Sequence, residues 1–252
     1  MHPQLSRYIE TIQGERPWGS LLDAGTGVQS ILWIADLQTE RWSAITASPS
    51  HAQKVRDAIV HRQRAEDKII VGNWLAPTLL EGEQYDTIIA DYLLGAVEGF
   101  SPYFQSFLFK RLRPHTGKVI YVKGLEPYVP IPRPESEAGQ IIWDIGRHRD
   151  ACVSLGGALP YREYPAQWAS HHLQISGFAV RKVKHFNTRH KSKFIHAQID
   201  ICAQHLKNLD DHMLAAALTL RGEALRKKAL AHIKANGAIE FGQNYVIVAE
   251  PA

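Results

Sequence analysis

The chain has 252 residues, of which 45% are hydrophobic and 21% are charged, and this composition excludes a disordered, collagen-like or coiled-coil protein. No apolar run approaches the roughly 20 residues of a membrane span, residues 1–19 lack the order of a signal peptide, and two cysteines are too few for a disulfide framework. We therefore expect a soluble cytoplasmic protein with no membrane partner, whose net charge of +4 favours acidic partners only weakly.

Residues 1–135 alternate short apolar runs with amphipathic stretches of helical length, which is typical of a parallel sheet with helical crossovers. Five runs are predicted as strands: Ser20–Leu22, Trp42–Ile45, Lys68–Val71, Asp86–Ala90 and Lys118–Val122. Ser48 places a capping side chain directly before Pro49, so a helix is predicted from about Ser50 towards Arg64.

Four prolines between Pro127 and Pro134 break this alternation and predict an extended linker. The remaining predicted elements are helices over Glu137–Leu155, Ala166–Ile175, Lys193–Leu206 and Asp210–Ala235, and strands at Phe178–Val180 and Tyr245–Ala249. We expect one domain over residues 1–252 with two insertions. Residues 124–176 are predicted to form part of a substrate cap, and residues 187–240 a helical hairpin between the last two strands.

The first predicted strand runs into a glycine turn, Asp23-Ala24-Gly25-Thr26-Gly27, which a helix follows. Glycines let the backbone approach a ligand closely, and the first N–H groups of a helix are unpaired. Such a turn suits an adenosyl ligand. The dinucleotide fingerprint does not fit, because Ser30 stands where it needs glycine or alanine and no acid lies near Thr46.

Residues 20–123 resemble the core of the class I S-adenosylmethionine-dependent methyltransferases. Three motifs carry the resemblance: the glycine turn at 23–27, the fourth-strand motif Tyr85–Leu94, and the approach to the fifth strand at Lys110–Lys118. The resemblance implies a doubly wound α/β fold, with a seven-stranded, mostly parallel sheet whose last strand is antiparallel. It also implies S-adenosylmethionine as the cofactor, in contact with Asp23, Ala24, Gly25, Thr26 and Gly27.

The sequence departs from the family pattern at two points. Gln29 replaces the usual third glycine, and the acid that usually ends the second strand and binds the ribose is missing. Thr46 or Ser48 is the candidate replacement, since a hydroxyl also forms hydrogen bonds with a ribose. After the third strand, Asn73 is predicted to contact the edge of adenine and Trp74 to stack on it. The alternative for Trp74 is a core residue.

The predicted catalytic residues are Asp91 and Tyr92, just past the fourth strand, and Tyr161. An acceptor group gains from losing its proton, and a carboxylate or a tyrosine can help to remove it. Asp91 is also a predicted cofactor contact, and the alternative for it is a helix cap.

Arg162, Glu163, Tyr164 and His171 are predicted to bind the substrate, the alternative for residues 161–164 being an exposed charged turn. The histidines at 185, 190 and 196 lack the spacing of a metal site. Both cysteines are expected to be small core residues, so no metal is predicted.

The leading functional hypothesis is methylation of a nitrogen or oxygen atom of a small molecule by a monomer or homodimer. A second hypothesis, not favoured, is an RNA or protein methyltransferase, because residues 181–193 carry six Lys or Arg and no acid. Its weakness is that only Phe186 offers a stacking surface among these charges. A third hypothesis is a degenerate cofactor fold that is kept for binding or assembly.

Overall fold

The computed structural model describes residues 3–252 as an α/β structure around a seven-stranded sheet. The strands are β1 (Ser20–Asp23), β2 (Arg41–Thr46), β3 (Lys68–Val71), β4 (Tyr85–Asp91), β5 (Thr116–Leu125), β6 (Phe178–His190) and β7 (Ile239–Pro251). The helices are α1 (Pro3–Gln13), α2 (Val28–Ile34), α3 (Pro49–Ile59), α4 (Leu93–Ala96), α5 (Gln105–Leu112), α6 (Glu137–Leu155), α7 (Ala166–Ile175), α8 (Ser192–Leu206) and α9 (His212–Asn236).

The strand order is β3-β2-β1-β4-β5-β7-β6, and β7 is the antiparallel strand. The first five strands pair in parallel, as apolar runs linked by helices require. This architecture confirms the predicted fold class. Because the pairing is parallel, the carboxyl ends of β1, β2, β4 and β5 meet at one edge of the sheet, where ligands bind in open α/β folds.

The predicted bounds of β3, α6 and α7 agree with the structure. β6 is much longer than the predicted Phe178–Val180, because it is the outermost strand and its charged side chains remain exposed there. The helix predicted to extend towards Arg64 ends at Ile59. Helix α1 was not predicted from the sequence.

The chain divides into two compact units. The first comprises the described chain up to Leu125, Tyr164–His185 and Tyr245–Ala252. Its core lies between the sheet and the helices α4, α5 and α7, and includes Leu22, Ile88 and Phe109.

The second unit comprises Glu126–Glu163 and Phe186–Asn244. Helices α6, α8 and α9 pack against one another around Ile145, Ile199 and Leu225, so the predicted hairpin of α8 and α9 has α6 as a third partner. The later part of the predicted insertion 124–176, from Tyr164, belongs to the first unit. The single-domain assignment and the cap remain predictions.

None of the helices in the described range 3–252 is both long and apolar enough to cross a membrane.

Candidate functional site

The glycine turn lies at the carboxyl edge of the sheet, between the ends of β2 and β4. The Ala24 N–H donates to the carbonyl of Ile89 at 2.9 Å, and the Thr26 N–H donates to the carbonyl of Ile45 at 2.7 Å. Backbone hydrogen bonds to both neighbouring strands therefore fix the turn at the edge where a ligand is expected.

The two glycines of the turn have different surroundings. A Cβ on Gly25 would lie 2.7 Å from Leu93 Cδ1, whereas a Cβ on Gly27 would meet nothing within 4 Å. The φ of Gly27 is −138°, in the extended region open to any residue. Gly25 is thus required by packing against α4, while Gly27 borders open space where a ligand has room.

Asp23 is a fully buried carboxylate at the end of β1. Its Oδ2 accepts a hydrogen bond from Ser30 Oγ at 2.6 Å, and its Oδ1 has no well-aligned hydrogen bond among the described residues, although the nearby Thr26 side chain favours the ionised form. Burial raises the pKa of Asp23 to about 6, although the hydrogen bond from Ser30 opposes the shift. The carboxylate is therefore ready to accept a cationic or hydrogen-bond-donating group.

Asp91, at the end of β4, forms a buried ion pair with Lys123. Lys123 Nζ lies 3.3 Å from Asp91 Oδ2 and donates to Ser6 Oγ at 3.1 Å, and it sits 4.2 Å from the ring centroid of Trp33. Lys123 is fully buried. The predicted fifth strand ends at Val122, so this lysine is not among the predicted site residues. A charged residue directly after a buried strand was the feature of the sequence that could have indicated it.

Three buried polar atoms at this edge form no well-aligned hydrogen bond within residues 3–252: Asp23 Oδ1, Thr26 Oγ1 and Asp91 Oδ1, of which the first two belong to side chains that interact with each other. Buried polar atoms are nearly always hydrogen-bonded, so such atoms require a ligand or water.

Thr46 and Ser48, the two candidates for the ribose, differ in what already engages them. Ser48 Oγ caps α3 by accepting from the His51 N–H at 3.2 Å, and it also contacts Ser50 Oγ. Thr46 is the last residue of β2, and its hydroxyl accepts only a longer bond, 3.3 Å, from the Ser48 N–H. Thr46 is the better placed of the two.

Asn73 braces two loops with its side chain. Its Nδ2 donates to the Phe100 carbonyl, and its Oδ1 accepts from the Leu75 N–H and from Ser101 Oγ. Trp74 is 5% exposed, and its indole N–H donates to the carbonyl of Ala24 at 2.7 Å. Trp74 therefore supports the glycine turn as a core residue, and the predicted adenine contacts of both residues remain predictions.

Tyr92 connects β4 to α4 in the left-handed conformation, with φ 53° and ψ 20°. A non-glycine residue pays about 1–2 kcal/mol for this backbone. Its N–H donates to the carbonyl of Lys123 at 3.0 Å, so the strand pairing holds the strained residue in place. Such strain is concentrated at functional sites.

The structure assigns the predicted substrate residues to both units. Tyr161, Arg162 and Glu163 belong to the second unit, and Tyr164 and His171 to the first. Tyr161 and Arg162 are exposed, as in the alternative interpretation, whereas burial raises the pKa of Glu163 to about 7 and Arg149 opposes this shift. Glu163 can therefore hold or release a proton near neutral pH.

An aromatic stack in the first unit was missed by the sequence analysis. The Trp168 ring lies 4.2 Å from the Tyr164 ring and 3.7 Å from the His172 ring, measured between centroids. His171 is exposed, and its neighbour His172 joins the stack. The four-residue spacing of these three side chains was the available signal.

Comparisons with known proteins show which solved structures share this fold. No family profile matches the sequence, and no curated protein matches it significantly. Among solved structures, a protein of Bacillus halodurans provisionally described as a methyltransferase is 12% identical, with a TM-score of 0.61 over 99% of this chain and 100% of its own. Coclaurine N-methyltransferase, bound to N-methylheliamine and SAH, is 14% identical, with a TM-score of 0.54 over 98% of this chain and 72% of its own.

The [4+2]-cyclase SpnF is 14% identical, with a TM-score of 0.58 over 98% of this chain and 80% of its own. The chain therefore has the seven-stranded fold found in these methyltransferases, and the fold implied by the sequence resemblance is confirmed.

Proposed function

We propose that this protein is an S-adenosylmethionine-dependent methyltransferase that acts on a nitrogen or oxygen atom of a small molecule. One observation carries the proposal: a glycine turn that is open at Gly27 lies beside three buried polar atoms that lack a well-aligned hydrogen bond, on Asp23, Thr26 and Asp91. S-adenosylmethionine carries an ammonium group, a positive sulfur and two ribose hydroxyls. Two carboxylates and a hydroxyl suit this set of charges and donors.

The residues that would hold the cofactor are those of the turn, Asp23 to Gly27, with the Thr46 hydroxyl towards the ribose. When bound, S-adenosylmethionine supplies a methyl group that its positive sulfur has already activated. The protein then needs mainly to orient the acceptor and exclude water. Solved relatives in fold support this assignment, since coclaurine N-methyltransferase is described with bound SAH.

Asp91 is the proposed proton acceptor for the substrate, and Tyr92 is a second candidate that can accept a proton only as the phenolate. The ion pair with Lys123 fixes the position of Asp91, and the strained backbone fixes that of Tyr92. Tyr161 stays a further catalytic candidate, and Arg162 and Glu163 stay candidate substrate residues, in the second unit.

In the first unit, the stack of Tyr164, Trp168 and His172 offers aromatic faces suited to a flat or cationic small molecule. His171 remains a substrate candidate beside it. The proposed protein works in the cytoplasm as a monomer or homodimer.

RNA as the substrate has weaker support. Two of the cations in residues 181–193 already form ion pairs, Arg181 with Glu250 at 2.8 Å and Arg189 with Glu240 at 2.8 Å. Both acids reduce the positive field that a phosphate backbone would meet.

Calorimetry with S-adenosylmethionine and S-adenosylhomocysteine tests the proposal, followed by transfer of labelled methyl groups to panels of amines, phenols and RNA. We expect both cofactor forms to bind and a small amine or phenol to be labelled. If neither S-adenosylmethionine nor S-adenosylhomocysteine gives a binding signal, the proposal is overturned in favour of a degenerate cofactor fold. Binding without transfer to any acceptor would point to other chemistry on this fold, as the description of SpnF as a cyclase illustrates.

A further inference from the structure

A histidine and two cysteines meet inside the second unit, away from the glycine turn. His148 and Cys152 lie one turn apart on α6, and Cys202 lies on α8. All three are buried, and their ligand atoms lie within 4.8 Å of one another. His148 Nε2 and Cys152 Sγ are 3.7 Å apart. In a tetrahedral zinc site, bonds of about 2.0–2.3 Å place neighbouring ligand atoms about 3.5–3.8 Å apart.

Helix α9 packs closely against this histidine. Gly222 faces His148, and a Cβ at this position would lie 2.9 Å from His148 Nε2. Glycine in the interior of a helix costs about 1 kcal/mol relative to alanine, so its presence in the 25-residue α9 calls for a local reason. The close approach of α9 to the imidazole is such a reason.

A small cavity adjoins two of these three residues, His148 and Cys202. It has a volume of about 20 Å³ and is otherwise lined by Thr219, Gly222, Glu223 and apolar side chains. A cavity of this size holds one water molecule. Glu223 also lines it, but its carboxylate is paired with Arg226 Nε at 3.1 Å. A water molecule is therefore the better candidate for a fourth ligand.

We propose that His148, Cys152 and Cys202 form a zinc site with three protein ligands, whose fourth position faces this cavity. One imidazole and two thiolates are ligand types that Zn²⁺ prefers. Two thiolates also neutralise one divalent ion, which matters because a net charge is costly in a buried cluster. A monovalent ion would leave a net negative charge among Leu206, Leu209 and Leu218, which pack around the cysteines.

Both cysteines are free thiols in the structure, so a disulfide is not the arrangement found. The site would tie α6 to α8 and thereby reinforce a small cluster of the second unit. It is independent of the proposed transferase activity.

Cobalt titration of the reduced, metal-free full-length protein tests the site. We expect one equivalent of Co²⁺ to produce thiolate-to-cobalt charge-transfer absorption and the visible bands of tetrahedral Co²⁺, and Zn²⁺ to displace it. Cys152→Ser and Cys202→Ser should each weaken the charge-transfer band. His196→Gln, which changes an α8 histidine outside the cluster, is the matched control and should leave the spectrum unchanged.

Absence of charge-transfer absorption in the folded, reduced protein would overturn the site, and so would an unchanged spectrum in both serine variants. If the serine variants do not fold, the rate at which an alkylating reagent modifies the two cysteines of the unaltered protein tests the site instead. Zn²⁺ should slow the modification of both cysteines, and equal rates with and without Zn²⁺ would refute the proposal.

Discussion

Lys123 Nζ lies 3.3 Å from Asp91 Oδ2, and the two residues are register partners on the adjacent parallel strands β5 and β4. The side chains are 1% and 8% exposed, so water screens neither charge. Strand register thus creates a buried ion pair at the edge of the sheet where the cofactor is proposed to bind. Its loss should therefore affect stability as well as function.

Removing only the cation should destabilise the protein strongly. Lys123→Met leaves Asp91 buried without its partner, and we expect the free energy of unfolding in urea to fall by about 3–5 kcal/mol. The double variant Lys123→Met with Asp91→Asn, which removes both charges, should recover much of this loss. Equal stabilities of the single and the double variant would show that the pair is not coupled.

Asp23→Asn should stabilise the ligand-free protein while weakening cofactor binding. Burial raises the folded-state pKa of Asp23 from 3.8 to about 6. The folded state therefore loses stability as pH rises from about 4 through 6, by up to about 3 kcal/mol, because an ionised carboxylate stays buried. The asparagine variant should lack this loss, so its advantage should be absent at pH 3 and complete at pH 8.

Denaturation at several pH values measures the stability part of this prediction, and calorimetry with S-adenosylhomocysteine measures the binding part. In the unaltered protein, affinity should fall as pH drops through 6, since the protonated carboxyl no longer attracts a cationic group. If the affinity for S-adenosylhomocysteine does not change with pH, Asp23 does not bind the cofactor.

The two glycines of the turn should respond differently to substitution. Gly27→Val should fold normally but weaken cofactor binding by at least about tenfold, 1.4 kcal/mol, because its side chain enters the open space. Gly25→Ala should instead lose about 1–3 kcal/mol of stability through its clash with Leu93. Adding Leu93→Ala to Gly25→Ala should relieve the clash. Unchanged affinity in Gly27→Val would argue against a ligand at this turn.

Asp86 lies at the opposite edge of the sheet from the glycine turn, so a substitution there is a control whose effect should depend on pH. Its hydrogen bond with Lys118 lowers the pKa of Asp86 to about 2, although partial burial opposes this. The stabilisation is present above about pH 4 and is lost as pH falls towards 2. Asp86→Asn should therefore lower the thermal midpoint at pH 7, with a difference that shrinks in acid, and should leave cofactor affinity unchanged.

Tyr92→Phe should lower turnover by about 100-fold if the Tyr92 phenolate accepts the substrate proton, since general base catalysis contributes that much. The dissociation constant of the cofactor should stay the same. Turnover at the level of the unaltered protein would leave Asp91 as the candidate base in the first unit.

The sequence alone determined the architecture and predicted where the site lies. Apolar runs alternating with helical periods predict a parallel sheet, and in such a sheet the residues after β1 and β4 must share an edge. The structure brings the glycine turn and Asp91 to that edge, and their contact with a cofactor stays a prediction. These predictions need only local sequence, because the alternation of buried residues and the geometry of a turn depend on residues close together in the chain.

Tertiary structure decided which side chains meet. Register paired Lys123 with Asp91, and α4 turned Gly25 into a packing glycine while leaving Gly27 open. Helix packing brought Cys202 to His148 and Cys152, although the sequence separates them widely and suggested only core residues. The periodicity of apolar residues indicates whether a side chain is buried. Which side chain it then contacts depends on how segments that are distant in the sequence pack together, and no local pattern encodes that packing.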